Sequence, residues 1–502
     1  MNNTRCTLGL LLLGLSCSLA EEPAPSVGNA GSGNGSGAGP SAGGSSGSAA
    51  GGSAGTGLGG SASGGLPAAG SAGTTAVSGS SGSGGSGGMI PPGTALLERM
   101  RMSDVTVPEG VKEGVDNWRI WGTDSLHVAP VYVSPLGSCE TLVCFTTDSG
   151  GAVTARVARL DANDVLVGAV LDIGPGLECR GVAGGPDGQF AALLWDDAAD
   201  KIFVRSFDLS GAPGFDTELV NADNTPDDFG IGESRFEYGA GRYGAYYHVH
   251  STSGHEGDSL KWVDATSGME DTEWAWGCSH SMSNALRYHP TLDQFTSSCV
   301  TDCYPGTGDG DFEVVSIGGL YMDGGDSKVI DMDDGCNGSM AGELGTLALA
   351  PNGFKVVFNG HQAPATLGQN SYDESTMNQD IGFSSIAGDL TPSQVVWLTS
   401  TPELDEADSS IVPFAPMGEA AETYLVGWSE PGDTMVYKLG RIDAAGAFVE
   451  GPIDATAAAQ WGRRDDPFRS HKNGDAIWAW FDDPGSSTLH VARVLSGNAC
   501  TP

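Results

Sequence analysis

Three times in this chain an apolar strand runs into an aromatic and an acid, turns within a few residues and returns as an alternating strand. Gln189-Phe190-Ala191-Ala192-Leu193-Leu194-Trp195-Asp196-Asp197 leads to Lys201-Ile202-Phe203-Val204-Arg205-Ser206-Phe207-Asp208. Thr423-Tyr424-Leu425-Val426-Gly427-Trp428-Ser429-Glu430 leads to Thr434-Met435-Val436-Tyr437-Lys438-Leu439. Asp475-Ala476-Ile477-Trp478-Ala479-Trp480-Phe481-Asp482-Asp483 leads to Thr488-Leu489-His490-Val491-Ala492-Arg493. Short strands with turn residues between them, and no sustained helical period, fill the rest of the chain after residue 97. With the strand before each pair taken as the first of its unit, units begin near His127, Arg180, Arg235, Ser279, Ser339, Ser410 and Asp466, spaced by 53, 55, 44, 60, 71 and 56 residues. A unit of that size cannot cover its own apolar faces, so it must stack on its neighbours.

That recurrence resembles the β-propeller superfamily, in which four-stranded sheets are arranged around a channel. The resemblance is one of fold and implies an all-β domain of seven four-stranded blades. The seventh unit runs out after three strands, at about Leu495. The segment Asn117-Trp118-Arg119-Ile120-Trp121-Gly122, ahead of the first unit, is expected to supply the missing strand and close the ring.

Three domains follow from composition. Residues 1–20 have the layout of an export signal: Arg5, then the apolar run Leu8-Gly9-Leu10-Leu11-Leu12-Leu13-Gly14-Leu15, then small residues. Two fates fit it. Cleavage after Ser18-Leu19-Ala20 gives a secreted chain, whereas Gly14-Leu15-Ser16-Cys17 resembles a bacterial lipobox with Cys17 as the lipid anchor and the only membrane contact. Residues 21–97 are a low-complexity linker. From Pro23 to Leu97 there is no Asp, Glu, Lys or Arg, and such a Gly/Ser/Ala tract cannot offset the entropy of ordering. The stretch from Pro23 to Gly88 is expected to act as a flexible tether with an r.m.s. reach of about 40 to 50 Å. Residues 98–502 are the head.

The head carries 61 acidic and 22 basic residues, a net charge of −39. Phosphate contacts need clustered Lys and Arg, so a nucleic-acid partner is excluded, and adhesion to anionic lipid is disfavoured. Its eight cysteines, Cys139, Cys144, Cys179, Cys278, Cys299, Cys303, Cys336 and Cys500, are an even set in an exported chain, and up to four disulfides are expected. The head is expected to be a monomer at the cell surface, as an outer-membrane lipoprotein, or secreted.

In a propeller, the start of each first strand and the end of each second strand share one face. His127, His250, His255, His280 and His361 are expected to converge there, with His289 and His471 at the other end. Neutral imidazoles hold transition metals, and Glu256 or Asp258 would complete a shell, so one reading is a divalent metal cofactor, zinc or calcium; the other is that these are surface or core histidines with ordinary hydrogen-bond partners. The acid-rich turns Asp309-Gly310-Asp311, Asp323, Asp326 and Asp331-Met332-Asp333-Asp334-Gly335 also invite a calcium reading, but their spacing is not that of an EF-hand, and solvated turns account for most of these acids. Arg180, Arg235, Arg463 and Arg464 would gather positive charge at the channel mouth and suit a carboxylate or sulfate; pairing with Glu178, Glu233, Asp465 and Asp466 is the alternative role. Two functions remain open. One is a non-catalytic head that binds an extracellular glycan or peptide on one face. The other is an enzyme, a metal-dependent hydrolase or a polysaccharide lyase. In the lyase, Arg235 or Arg180 neutralises a uronate, His250 or His280 takes the proton, and Tyr246 or Tyr247 protonates the leaving oxygen.

Overall fold

A computed structural model describes residues 90–91, 93–116, 125–137, 139–219, 224–225, 233–251, 256–277, 284–301, 314–317, 329–332, 342–360, 378–432 and 434–500. The chain divides into two units, Met1–Gly79, which lies outside the described residues, and Ser80–Pro502. The second unit is a β-propeller of antiparallel sheets.

In chain order, sheet I is Tyr132–Leu136, Glu140–Asp148, Val153–Leu160 and Leu171–Pro175, and sheet II is Glu178–Gly184, Gln189–Asp196, Lys201–Asp208 and Pro213–Glu218. Sheet III has Ser234–Gly239, Arg242–Ser251, Glu256–Asp264 and Glu270–Gly277, with Asn224–Thr225 as a fifth strand. Sheet IV is Asn284–His289, Gln294–Thr301, Val314–Ile317 and Ile330–Met332, and sheet V is Gly342–Ala350, Gly353–Gly360, Asp380–Ala387 and Val396–Trp397. Sheet VI is Ala407–Pro413, Thr423–Glu430, Val436–Asp443 and Phe448–Asp454. Sheet VII is Arg469–Ser470, Ala476–Trp480, Thr488–Val494 and Met100–Thr106. The first strands of successive sheets neighbour one another in cyclic order, the last returning to the first.

Two expectations need correction. Six sheets are four-stranded, not seven. In sheet III the ten-residue strand Arg242–Ser251 outruns its inner partner, and the edge left at His250 and Ser251 is taken by Thr225 and Asn224. The closing strand is Met100–Thr106, which pairs along its whole length with Thr488–Val494, from Met100 opposite Val494 to Thr106 opposite Thr488. Its outer position leaves it half exposed, with Val105 its one buried side chain, so it lacks the apolar run that marks the other strands. Asn117 to Gly122 lie outside the described residues.

The core is distributed between sheets. Sheets I and II share Leu142, Val157, Phe190 and Leu194; sheets VI and VII share Leu425, Leu439, Trp461, Phe468 and Trp478. Sheets VII and I meet through Ile477, Leu489, Val143 and Phe145, with Phe145 set edge-on to Phe481 at 5.3 Å between centroids. Apolar residues on both faces of the central strands follow from this, because each sheet is sandwiched. Close to the axis the strands approach tightly: a Cβ on Gly181 would lie 2.5 Å from the Cβ of Phe236 in the next sheet.

The outer hairpins repeat one device. Asp208 and Asp443 end a third strand and Asp161 directly follows one, and each accepts two backbone N–H groups through Oδ1: from Asn163 and Val165 for Asp161, from Ser210 and Ala212 for Asp208, and from Ala445 and Ala447 for Asp443. The third residue after each is left-handed: Asp164 (φ 61°), Gly211 (φ 86°) and Gly446 (φ 88°). Aspartate caps such turns because its carboxylate imitates a backbone acceptor. Asp164 stands where the other two hairpins have glycine. Its carboxylate takes up the buried Arg493 at 2.6 Å and Arg101 at 2.6 Å.

Two disulfides are described in full. Cys144–Cys179 joins the second strand of sheet I to the first of sheet II, and Cys139–Cys500 ties sheet I to the chain beyond the last strand of sheet VII. Cys299 is also disulfide-bonded.

Candidate functional site

The axis is held by charges that are far apart in sequence. Asp466 has φ 45°, a left-handed conformation that Asp tolerates better than most residues. From that turn its two carboxylate oxygens accept Nη1 and Nη2 of Arg287, each at 2.6 Å, and Arg469 Nη1 at 3.0 Å. Glu237 completes the square, receiving Arg469 Nη1 at 2.6 Å and Arg287 Nη1 at 3.2 Å. Arg469 Nε donates to the Val133 carbonyl. All four side chains are mostly buried and their charges balance. Burial pushes the Asp466 carboxyl up, but Arg287 and Arg469 outweigh it and hold the group below its usual value.

A second ionic group lies nearer the starts of the first strands. Arg235, 1% exposed, donates through Nη2 to Glu233 at 2.7 Å and through Nη1 to the Ser234 and Arg464 carbonyls. Glu233 in turn accepts the Asn284 amide at 2.8 Å. Asp465 accepts the Val131 amide at 3.1 Å, and burial pushes its carboxyl up to about 6 against the pull of Arg464.

Above the Arg287–Glu237–Arg469 group, toward the ends of the first strands, lies a cavity of about 210 Å³. Every sheet contributes to it: Ser134, Ala183, Glu237, Arg287, Leu347, Val412 and Ser470 come from the first strands of sheets I to VII in turn. Its floor is polar and its walls are apolar, with Leu347, Ala348, Val412, Pro413 and Phe468 on one side and Tyr238 on another. This position differs from the expected site, which lies at the starts of the first strands.

The expected site residues are distributed as follows. Arg180 is in an ion pair with Glu178 at 3.0 Å, and Lys112 reaches the same carboxylate at 2.9 Å. Arg235 pairs with Glu233, so both arginines take the alternative role. Arg464 donates to the Val128 carbonyl at 2.8 Å, and Arg463 opens a short 3-10 turn, Arg463–Asp465. Tyr246 and Tyr247 are 0% and 2% exposed, and burial raises the Tyr247 phenol. Phenols so enclosed are out of reach of a polymer in solution. His127 is not at a first-strand start but on Ser125–Val128, opposite Gly114 in a two-stranded ribbon. His250 ends the second strand of sheet III as expected, opposite Glu256. His255, His280 and His361 lie outside the described residues, as do Asp309, Asp311, Asp323, Asp326, Asp333 and Asp334. Among the described residues no group of three His, Cys, Asp or Glu is placed to hold a metal ion. His289 and His471 are at the other end, both buried: His289 bridges the Ala350 carbonyl and the Thr291 and Leu292 amides, and burial lowers His471 to about 3.

One acid carries no signal in the sequence. Glu406, fully buried ahead of the first strand of sheet VI, accepts the hydroxyls of Thr399 and Thr401 and the Ile381 amide. Thr401 Oγ1 also lies 3.3 Å from Asp380. Burial, with the charges of Asp380 and Glu430, pushes the Glu406 carboxyl up to about 7. A carboxyl whose folded-state value is raised holds its proton more tightly in the folded state, so stability falls as pH rises from about 4.5 to 7. Glu406→Gln, which cannot charge, is expected to raise the melting temperature by a few degrees at pH 8 and to leave it unchanged at pH 4, as calorimetry at the two pH values would show.

No family model and no curated protein matches the sequence. Among solved structures the chain is similar to the BP39L lectin from Burkholderia pseudomallei, at 13% identity and TM-score 0.46 over 74% of this chain and 97% of that one. It is also similar to AofleA from Arthrobotrys oligospora, at 12% identity and TM-score 0.35 over 72% of this chain and 90% of that one. Trypanosoma rangeli sialidase matches at 10% identity and TM-score 0.35, over 78% of this chain and 74% of that one. Identities of 10 to 13% transfer no residue roles to this chain.

Proposed function

We propose that the protein is an exported, tethered recognition head that binds the terminal unit of an extracellular glycan in the axial cavity and does not turn it over. The observation that carries this reading is the cavity itself, built by the first strands of sheets I to VII over a charge-balanced floor. In this reading the five-stranded sheet counts as the seventh blade of the ring. The cavity is smaller than the about 300 to 1,000 Å³ of sites for drug-sized molecules, so it takes one small unit. Its combination of apolar walls and a hydrogen-bonding floor suits a sugar ring, which has an apolar face and a polar rim.

Export is supported by the two disulfides, which persist in oxidising compartments. The stretch from Pro23 to Gly88 serves as the tether, anchored at Cys17 or released after Ala20; Leu96, buried against Leu425 and Leu439, already belongs to the head.

Ser470 lines the cavity and is partly exposed, so Ser470→Trp places a ring in the opening without opening a core void. Titration of the full chain with glycans selected on an array is expected to show at least a tenfold loss of affinity in the variant, with its melting temperature unchanged. Equal affinity in Ser470→Trp, or no glycan bound by the wild-type chain, would overturn the proposal.

A further inference from the structure

The floor of the axial cavity presents an open donor next to an open acceptor. Arg469 is 8% exposed; its Nε and Nη1 are engaged by Val133, Asp466 and Glu237, while its Nη2 has no hydrogen-bond partner among the described residues. Glu237 Oε1 takes both arginines, and Oε2 has no partner among the described residues. The two residues are joined at 2.6 Å through Nη1 and Oε1. Both line the same cavity.

A ligand group that satisfies this floor must accept from a guanidinium and donate to a carboxylate within a few ångströms. A hydroxyl does both, and two adjacent hydroxyls do so in parallel. A carboxylate does not: ionised, it only accepts, so it satisfies Arg469 Nη2 while facing Glu237 Oε2 as a like charge. The local balance of charge makes the same point. Arg287 and Arg469 are already neutralised by Asp466 and Glu237, so a ligand carboxylate would be a third acid against two bases, inside a head of net charge −39. Desolvation in a small, apolar-walled cavity strengthens that repulsion.

We propose that the axial cavity selects an uncharged sugar through a vicinal diol and rejects uronates, with Glu237 as the specificity-determining residue. This rests on the glycan-binding reading above and narrows it. It also separates that reading from uronate lyase chemistry, which needs the acid sugar to bind.

The test is titration calorimetry on the full chain with three probes: neutral monosaccharides, the corresponding uronates, and deoxy sugars lacking one hydroxyl of the diol. The wild-type chain is expected to bind a neutral sugar at least tenfold more tightly than its uronate, and to lose at least fivefold on removal of one hydroxyl. Glu237→Gln removes the like charge and keeps the shape, and is expected to shrink the neutral-to-uronate ratio to about threefold or less. The wild-type ratio alone decides the proposal if the variant does not fold. A uronate bound as tightly as the neutral sugar overturns the proposal and leaves the glycan-binding reading standing, whereas no binding of any sugar overturns both.

Discussion

Asp466→Ala is expected to lower the stability of the head by about 3 to 5 kcal/mol, the cost of removing one partner from a buried ion pair. The effect is large because Asp466 is shared: Arg287 commits both terminal nitrogens to it and Arg469 adds a third hydrogen bond. With Asp466 gone, two guanidiniums face Glu237 alone in a site that admits little water. The ion pair that disappears joins sheet IV to the turn ahead of sheet VII, 179 residues apart in sequence. By contrast, Arg180→Met leaves Glu178 paired with Lys112 at 2.9 Å, so no buried charge is stranded and the loss should be smaller than for Asp466→Ala. Urea denaturation of the two variants measures the difference. A loss below about 1 kcal/mol for Asp466→Ala would mean that the axial charges do not hold the ring.

The second large effect concerns closure. A propeller must fasten its last blade to its first or leave two open sheet edges. This chain does so twice, with Met100–Thr106 laid on Thr488–Val494 and with Cys139–Cys500. The disulfide spans 361 residues, against 35 for Cys144–Cys179. In the chain-entropy model the longer loop makes the first bond worth about 2 kcal/mol more than the second, about 6 against about 4 kcal/mol. Cys139→Ala with Cys500→Ala should therefore destabilise the head more than Cys144→Ala with Cys179→Ala. Denaturation of both double variants without reductant gives the comparison, and the reverse order would show that the first bond does not act as the clasp.

The strands are legible in the sequence wherever both faces of a sheet are buried. Gln189–Asp196 with Lys201–Asp208, and Thr423–Glu430 with Val436–Asp443, come close to where the apolar runs place them, because a sandwiched strand writes its burial into nearly every residue. Met100–Thr106 escapes notice for the opposite reason: it covers an outer edge, and most of its side chains are not buried. The hairpin signal of an Asp followed three residues later by a left-handed residue is present at Asp208 and Asp443 and marks the third-to-fourth strand turns.

The site is far less legible. Scarce arginines at strand starts point to the axis, and Arg235 is there, but its charge is committed to Glu233. The residues that floor the cavity, Glu237, Arg287 and Arg469, come from three sheets, and only ring geometry brings them together. No spacing in the sequence encodes that meeting. Tyr246 and Tyr247 mislead because alternation tells which side of a strand a residue faces, not whether another sheet covers that side.

The most direct test of the axial site is to map where a bound sugar sits. Chemical-shift perturbation on the labelled full chain, titrated with its best neutral monosaccharide, should move Tyr238, Ser470 and the side chains of Arg469 and Arg287, all of which line the cavity. Shifts confined to residues near the starts of the first strands, around Arg180, Tyr132 and Asp465, with Tyr238 and Ser470 unmoved, would contradict it.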